Sequence, residues 1–173
     1  MNNPDCILFL ESKDLKQLNK MIKKDNDVSQ IILPRTLKLN EYMIWLPDRS
    51  NSLPNRSNSL PDRSNSLPNQ IMGFIWFGIF EDLESNIKYI GINYSYTFIK
   101  YRNRGTNTKL RLFVEKFASN SNIQLIKSIG LPGSDSIKIM NKLNWESTWE
   151  STCKSTCKSI YESEPTYFCK KII

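Results

Sequence analysis

The stretch of the chain richest in chemistry is Tyr-Arg-Asn-Arg-Gly-Thr-Asn-Thr-Lys-Leu, residues 101–110. It sets Arg102, Arg104 and Lys109 around Gly105, with the short polar side chains of Thr106, Asn107 and Thr108 between them. An aromatic, strand-like run precedes it and a helical apolar stripe follows. The first amides of a helix have no acceptor within the helix, and the helix dipole adds partial positive charge there. A glycine at the entrance lets backbone approach an anion with no Cβ in the way. Strand, basic turn and helix entrance together make a design for holding phosphate. The same residues also fit a plain solvated basic face, which is the commoner meaning of charge at a helix end.

The chain has 173 residues, a formal charge of +7 and no histidine. The missing histidine excludes Ser-His-Asp and Cys-His nucleophile systems, helical zinc motifs and imidazole general bases. Proton transfer must then run on Asp, Glu, Tyr, Ser, Lys, Cys, water or backbone. The run 87–99 contains no acid; Glu81, Asp82 and Glu84 stand in the turn before it, and Tyr94 and Tyr96 lie within it. The acids read as solvated turn residues and the tyrosines as core, so no catalytic residue is assigned. Cys6, Cys153, Cys157 and Cys169 read as reduced structural thiols rather than a metal site, because the 153/157 pair sits in a duplicated tract, "WESTWESTCKSTCKS". The positive balance suits an anionic partner. The abundance of Asn, Ile and Lys also fits an AT-rich coding genome, such as that of a large DNA virus or a protist.

Pattern places the elements that position this turn. "CILFL" (6–10) is a strand; Ser12 and Asp14 offer helix-start chemistry for the stripe Leu15, Leu18, Met21, Ile22. Residues 25–36 are ambiguous, with a short second helix ending at Pro34 as one reading. "EYMIWL" (41–46) and "IMGFIWFGIF" (71–80) are strands. The tract between them, 46–70, is a seven-residue repeat with Asp and Asn alternating at its third place. One Leu per seven residues builds no core, so the repeat reads as an insertion at a hairpin tip, with few contacts from 47 to 69. Deleting 47–67 should accordingly leave the melting temperature nearly unchanged. Residues 88–99 form a long strand with Ile90, Ile92, Tyr94, Tyr96 and Phe98 on one face. Leu110, Phe113, Val114 and Phe117 mark the helix after the turn. A strand at 122–130, a helix carrying Ile137, Met140 and Leu143, and strands at 155–161 and 166–172 complete the order βα(α)βββαβαββ. A four-residue expansion covers 145–159. The whole reads as one domain, 1–173.

This order, with Tyr101 followed by Arg102-Asn103-Arg104-Gly105-Thr106-Asn107, resembles the GNAT superfamily of acyl-CoA-dependent N-acyltransferases. That family's main motif is a strand, then Arg/Gln-x-x-Gly-x-Gly/Ala, then a helix. "MGFIWF" resembles its third strand, and "IMNKLNW" (139–145) its Tyr-x-Lys-Leu-Gly-Phe helix ending. The resemblance implies an α/β (α+β) fold: a mixed, mostly antiparallel sheet of six to seven strands flanked by helices, with a V-shaped splay between two parallel strands. It implies that the turn from Arg102 to Lys109 binds the pyrophosphate of acetyl-CoA. It also implies that Thr97, Phe98 and Ile99 pair with the pantetheine amides. Asn107 stands where the family has a small residue, Gly133 where many members have Asn, and Met140 where many have the Tyr that protonates the departing thiolate.

The activity so implied is acetyl transfer from acetyl-CoA to a primary amine by direct attack, without metal. The acceptor is an amino sugar, another small molecule or a protein amine. Two other classes stay open: a GNAT-fold protein that binds acyl-CoA or a partner without catalysis, and a basic nucleic-acid-binding module. The one-sided placement of the aromatics argues against the last. With no signal peptide and no apolar run long enough to span a bilayer, the chain reads as cytoplasmic (host cytoplasm or virion if viral), off the membrane, and a monomer or homodimer.

Overall fold

A computed structural model describes residues 8–9, 14–25, 33–48, 71–130, 134–148 and 166–172. The elements are β1 (Leu8–Phe9), α1 (Leu15–Lys24), β2 (Glu41–Pro47), β3 (Ile71–Asp82), β4 (Ile87–Thr97), α2 (Thr106–Asn120), β5 (Leu125–Gly130), α3 (Asp135–Lys142), β6 (Glu146–Thr148) and β7 (Thr166–Lys171). The strands form one mixed sheet in the order β1-β2-β3-β4-β5-β7-β6. β3 and β4 are neighbours joined by four residues, which only an antiparallel hairpin allows. Asp82 closes that turn, its Oδ1 accepting the amides of Glu84 (3.0 Å) and Ser85 (3.3 Å). Those two bonds, Ser85 first, hold the Asp82 carboxyl below its usual range. The expected fold class is therefore present, with seven strands.

β4 and β5 run parallel, paired at Tyr89–Leu125, Ile90–Ile126 and Gly91–Lys127. The pairing stops there, although β4 continues to Thr97 and β5 to Gly130. All six β5 residues stay paired, antiparallel, with β7. This is the splay expected between the parallel strands.

Contacts divide the chain into two units, 1–76 with 95–110, and 77–94 with 111–173. In the first, α1 buries Leu15, Leu18 and Ile22 and exposes Lys16, Lys20, Lys23 and Lys24. β2 buries four consecutive residues, Met43 to Leu46, as a strand covered on both faces does. Phe74, Tyr96 and Phe98 complete that core, with Tyr96 5.9 Å from the Phe74 ring and 5.2 Å from the Phe98 ring. In the second unit the core holds Phe77, Ile90, Val114, Ala118, Ile126, Met140, Trp145 and Phe168.

The endings of α2 and α3 both use asparagine in the left-handed region. Asn122 (φ 54°) follows α2, and Asn144 (φ 57°) follows α3. After each, two amides turn back: Asn122 to Ser119 O and Ile123 to Ala118 O, then Asn144 to Asn141 O and Trp145 to Met140 O. This is the Schellman arrangement, usually closed by glycine and tolerated by asparagine. It explains why "KLNW" resembles "KLGF". It also moves the start of β5 from the expected 122 to Leu125.

Other boundaries shift for local reasons. Asp14 occupies the N-cap of α1 but makes no side-chain cap bond; Ser12 lies outside the described residues. Leu33–Thr36 is not helical, and 26–32 is outside the described set. The reading of 145–159 as expansion hid a strand. β6 begins at Glu146 and pairs antiparallel with β7, Ser147 opposite Phe168. The strand expected at 155–161 lies outside the described residues. So does 49–70, but Leu46 and Pro47 belong to β2, and Asp48, the residue after it, is bonded to Tyr101.

Candidate functional site

β4 does not run to Ile99 as the alternation suggested. Phe98 has φ −59° and ψ 142°, and Ile99–Tyr101 forms a single 3-10 turn. The Tyr101 amide returns to Phe98 O (2.8 Å) and the Arg102 amide to Ile99 O (3.1 Å). Two further bonds fix the start of this turn. Phe98 donates its amide to Met72 O of β3 (3.1 Å). Ile99 donates its amide to Asp25 Oδ2 (2.9 Å), which also accepts the Tyr96 hydroxyl (2.7 Å). Asp25 is the residue that closes α1, so the end of the first helix is fastened to the end of β4.

Of the backbone of Thr97–Ile99, expected to pair with the pantetheine amides, the Phe98 and Ile99 N–H groups are thus already bonded within the chain. Thr97 O accepts Arg102 Nε (3.4 Å). Thr97 Oγ1 is buried and has no hydrogen-bond partner among the described residues. A ligand chain laid along 97–99 would have to share these groups, which sequence alternation alone did not show.

The basic turn follows. Asn103 (φ 60°) and Gly105 (φ 74°) both take left-handed conformations, and a Cβ built on Gly105 meets nothing within 4 Å. The space that a side chain would fill is therefore open. The first backward helix bond of α2 runs from the Lys109 amide to Gly105 O (3.0 Å). In a helix the amides before that bond have no acceptor within the helix and face out of its N-terminal end. No acidic residue occupies the first turn of α2. Arg102, Asn103, Arg104, Gly105 and Lys109 are exposed.

The structure separates the polar side chains that sequence had grouped. Thr106 is 2% exposed; its hydroxyl donates to Tyr101 O (3.4 Å), and its methyl lies against Gly73. It locks the turn and offers a ligand its backbone amide, not its hydroxyl. Asn107 Nδ2 donates to Ser95 Oγ on β4 (3.2 Å). Its side chain is turned toward the strand rather than across the mouth of the turn. Gly73 lets β3 and β4 close here, since a Cβ would sit 2.5 Å from Tyr96 O.

Beneath the turn lies a contact that sequence reading missed. The Tyr101 hydroxyl donates to Asp48 Oδ2 (2.5 Å). Lys100 Nζ stands 3.9 Å from the same oxygen and 4.9 Å from the Tyr101 ring, and the Arg104 guanidinium lies 5.9 Å from that ring. Burial first, then the Asp48 bond, push the Tyr101 hydroxyl pKa up. Nothing in the sequence marked Asp48 apart from its copies in the repeat.

In the second unit Met140 is fully buried, and the Met140 Cε lies 3.0 Å from where a Cβ on Gly130 would be. Gly133 lies outside the described residues. A tyrosine at 140 would have to enter this packed space, so Met140→Tyr should lower stability by about 1–3 kcal/mol. Thermal melts of the variant and wild type check this.

Among the described residues no cluster of His, Cys, Asp and Glu could hold a metal ion. Cys169 forms no disulfide among the described residues, and Cys6, Cys153 and Cys157 lie outside that set. No described helix is long and apolar enough to cross a membrane.

No protein-family model matches the chain, and no curated protein matches it in sequence. Solved structures match its fold. NAA60 of Arabidopsis thaliana in complex with acetyl-CoA superimposes with a TM-score of 0.66 at 14% identity, over 96% of this chain and 98% of that one. The ribosomal-protein-alanine N-acetyltransferase of Brucella melitensis biovar Abortus 2308 gives 0.58 at 11% identity, over 84% and 95%. The aminoglycoside acetyltransferase meta-AAC0020, from an uncultured soil metagenomic sample and solved with sisomicin, gives 0.56 at 14%, over 91% and 95%. The fold is that of the GNAT N-acetyltransferases.

Proposed function

We propose that the chain is a single-domain N-acetyltransferase that takes acetyl-CoA as co-substrate and a primary amine as acceptor. The observation that carries this is the entrance to α2: an open left-handed Gly105, helix amides facing outward, and exposed Arg102, Arg104 and Lys109 with no acid in the first turn. Phosphate fits this arrangement, because it offers acceptor oxygens to amides and guanidinium groups at once. The backbone amides from Thr106 to Thr108 would hold the pyrophosphate. Arg102, Arg104 and Lys109 would add charge. The NAA60 structure contains acetyl-CoA, which supports the choice of coenzyme.

In the reaction a neutral amine attacks the thioester carbonyl. The new N–C bond forms, the C–S bond breaks, the amine loses a proton to a base or water, and the thiolate gains one. Holding the two reactants at attack distance supplies much of the rate in such transfers. Tyr96, bonded to Asp25, and Asp82, closing a turn, are both committed to structure, so neither is assigned the base. Protein amines and aminoglycosides are the acceptors named by similar structures, and both belong in a first panel.

A second reading is favoured by one observation. Met140 has no ionisable group and is fully buried, so a proton for the thiolate must come from elsewhere, or transfer does not occur. Calorimetry with acetyl-CoA followed by turnover with amines separates the two. Binding with turnover supports the transferase, and binding alone supports a coenzyme-binding protein. Salt-sensitive oligonucleotide binding without coenzyme binding would overturn both. Arg102→Ala and Arg104→Ala should each weaken acetyl-CoA by about 1–3 kcal/mol, read as the dissociation constant in the same titrations.

A further inference from the structure

We propose that Asp48, the first acidic residue of the seven-residue repeat, is a positioning residue for the coenzyme turn: it holds Tyr101 as the platform on which Lys100 and Arg104 are set. This rests on the coenzyme reading above and extends it to a tract that looked like inert expansion.

Three facts place Asp48 there. Its side chain is only 7% exposed, so the carboxylate is buried and must be paired. Its partners are the Tyr101 hydroxyl at 2.5 Å and Lys100 Nζ at 3.9 Å. Tyr101 is itself 4% exposed, and its ring lies 4.9 Å from Lys100 Nζ and 5.9 Å from the Arg104 guanidinium. The ring, fixed at its hydroxyl end by Asp48, thus meets both cations, while the Tyr101 carbonyl accepts the Thr106 hydroxyl at the first residue of α2. A carboxylate under an anion site weakens it if its charge is free. Here that charge is bonded to a hydroxyl and faces a lysine, so what it contributes is geometry.

The repeat gives this a second consequence. Its third place reads Asp48, Asn55, Asp62, Asn69. Removing 48–54 brings Asn55 directly behind Pro47, whereas removing 49–62 keeps Asp48 and shortens the tract by two repeats. Contraction of the tract is therefore neutral or harmful according to which residue it leaves at the root.

The test compares wild type, Asp48→Asn, Tyr101→Phe, the double variant and the two deletions. The readouts are KM for acetyl-CoA, KM for the amine, kcat, and turnover with acetyl-pantetheine, which lacks the diphosphate. Where no amine is turned over, the acetyl-CoA dissociation constant and competition by acetyl-pantetheine replace them. Asp48→Asn and Tyr101→Phe should each raise the acetyl-CoA KM about five- to tenfold, and the double variant no further. The amine KM, kcat and acetyl-pantetheine turnover should stay within twofold. The 49–62 deletion should match wild type, and the 48–54 deletion should match Asp48→Asn. An unchanged acetyl-CoA KM in Asp48→Asn, or an equal loss with acetyl-pantetheine, would overturn the role of Asp48 alone. Failure of wild type to bind acetyl-CoA would overturn the coenzyme reading and this one with it.

Discussion

Gly105→Asp is expected to abolish acetyl-CoA binding and to leave the protein folded. Gly105 has φ 74° and open space where its Cβ would be, so an added Cβ meets none of the described residues. It fills the space assigned to phosphate. Aspartate also puts a negative charge beside an anion, and the loss should be at least about a hundredfold. The folding cost should be about 1 kcal/mol, since Asp tolerates the left-handed region better than most residues. In a chain of this size that is a shift of a few degrees in Tm. Calorimetry with acetyl-CoA and a thermal melt of the same samples check both halves. Equal affinity in wild type and Gly105→Asp would reduce the turn to a helix entrance, and the acetyltransferase proposal would fall.

The second large effect concerns stability. Arg111 lies on the inner face of α2, 1% exposed, with Nη1 3.4 Å from Ser128 Oγ and its guanidinium 5.4 Å from the Trp145 ring. Burial lowers its pKa from the ordinary guanidinium value to about 10, and the nearby Glu115 opposes that fall. Glu115 Oε1 in turn accepts the Trp145 indole N–H at 2.7 Å. The lowered value means that the fold disfavours the charged form. Below about pH 10 this is a standing cost, and it is relieved only as pH rises through 10 toward the ordinary guanidinium value. Replacing a buried ion pair by apolar groups of similar volume is often neutral or stabilising by about 1–4 kcal/mol, and here removing the one charge leaves Glu115 half-buried and still bonded to the Trp145 indole rather than stranded. Arg111→Met should therefore raise stability within that range. Glu115→Ala should lower it by about 1–3 kcal/mol, because it leaves the indole without its acceptor and Arg111 with less opposing charge. Urea unfolding of both variants at pH 7 decides the matter. A destabilised Arg111→Met would show that the guanidinium is worth more to the core than its burial costs.

Sequence by itself determined the element order and the basic turn. Period-two and helical patterns depend on side chains alone, and Gly105 with its neighbouring cations is legible because no other residue type suits that conformation so well. The parallel pairing of β4 and β5 was what the family resemblance implied, and the register confirms it. The partners of each polar group were decided only by tertiary structure. Asp25 and Asp48 are separated from their partners by 71 and 53 residues, and no local pattern marks an acid that will meet a tyrosine at that distance. The same holds for Arg111, which pattern would put among the solvated charges of α2, and for Met140, whose burial against Gly130 depends on where β5 passes. β6 was lost to sequence because its three residues open a tract of copied units; β7 makes it a strand by supplying the hydrogen bonds. Local conformation is written in neighbouring residues, whereas burial and pairing depend on segments far apart in the chain that meet only when it folds.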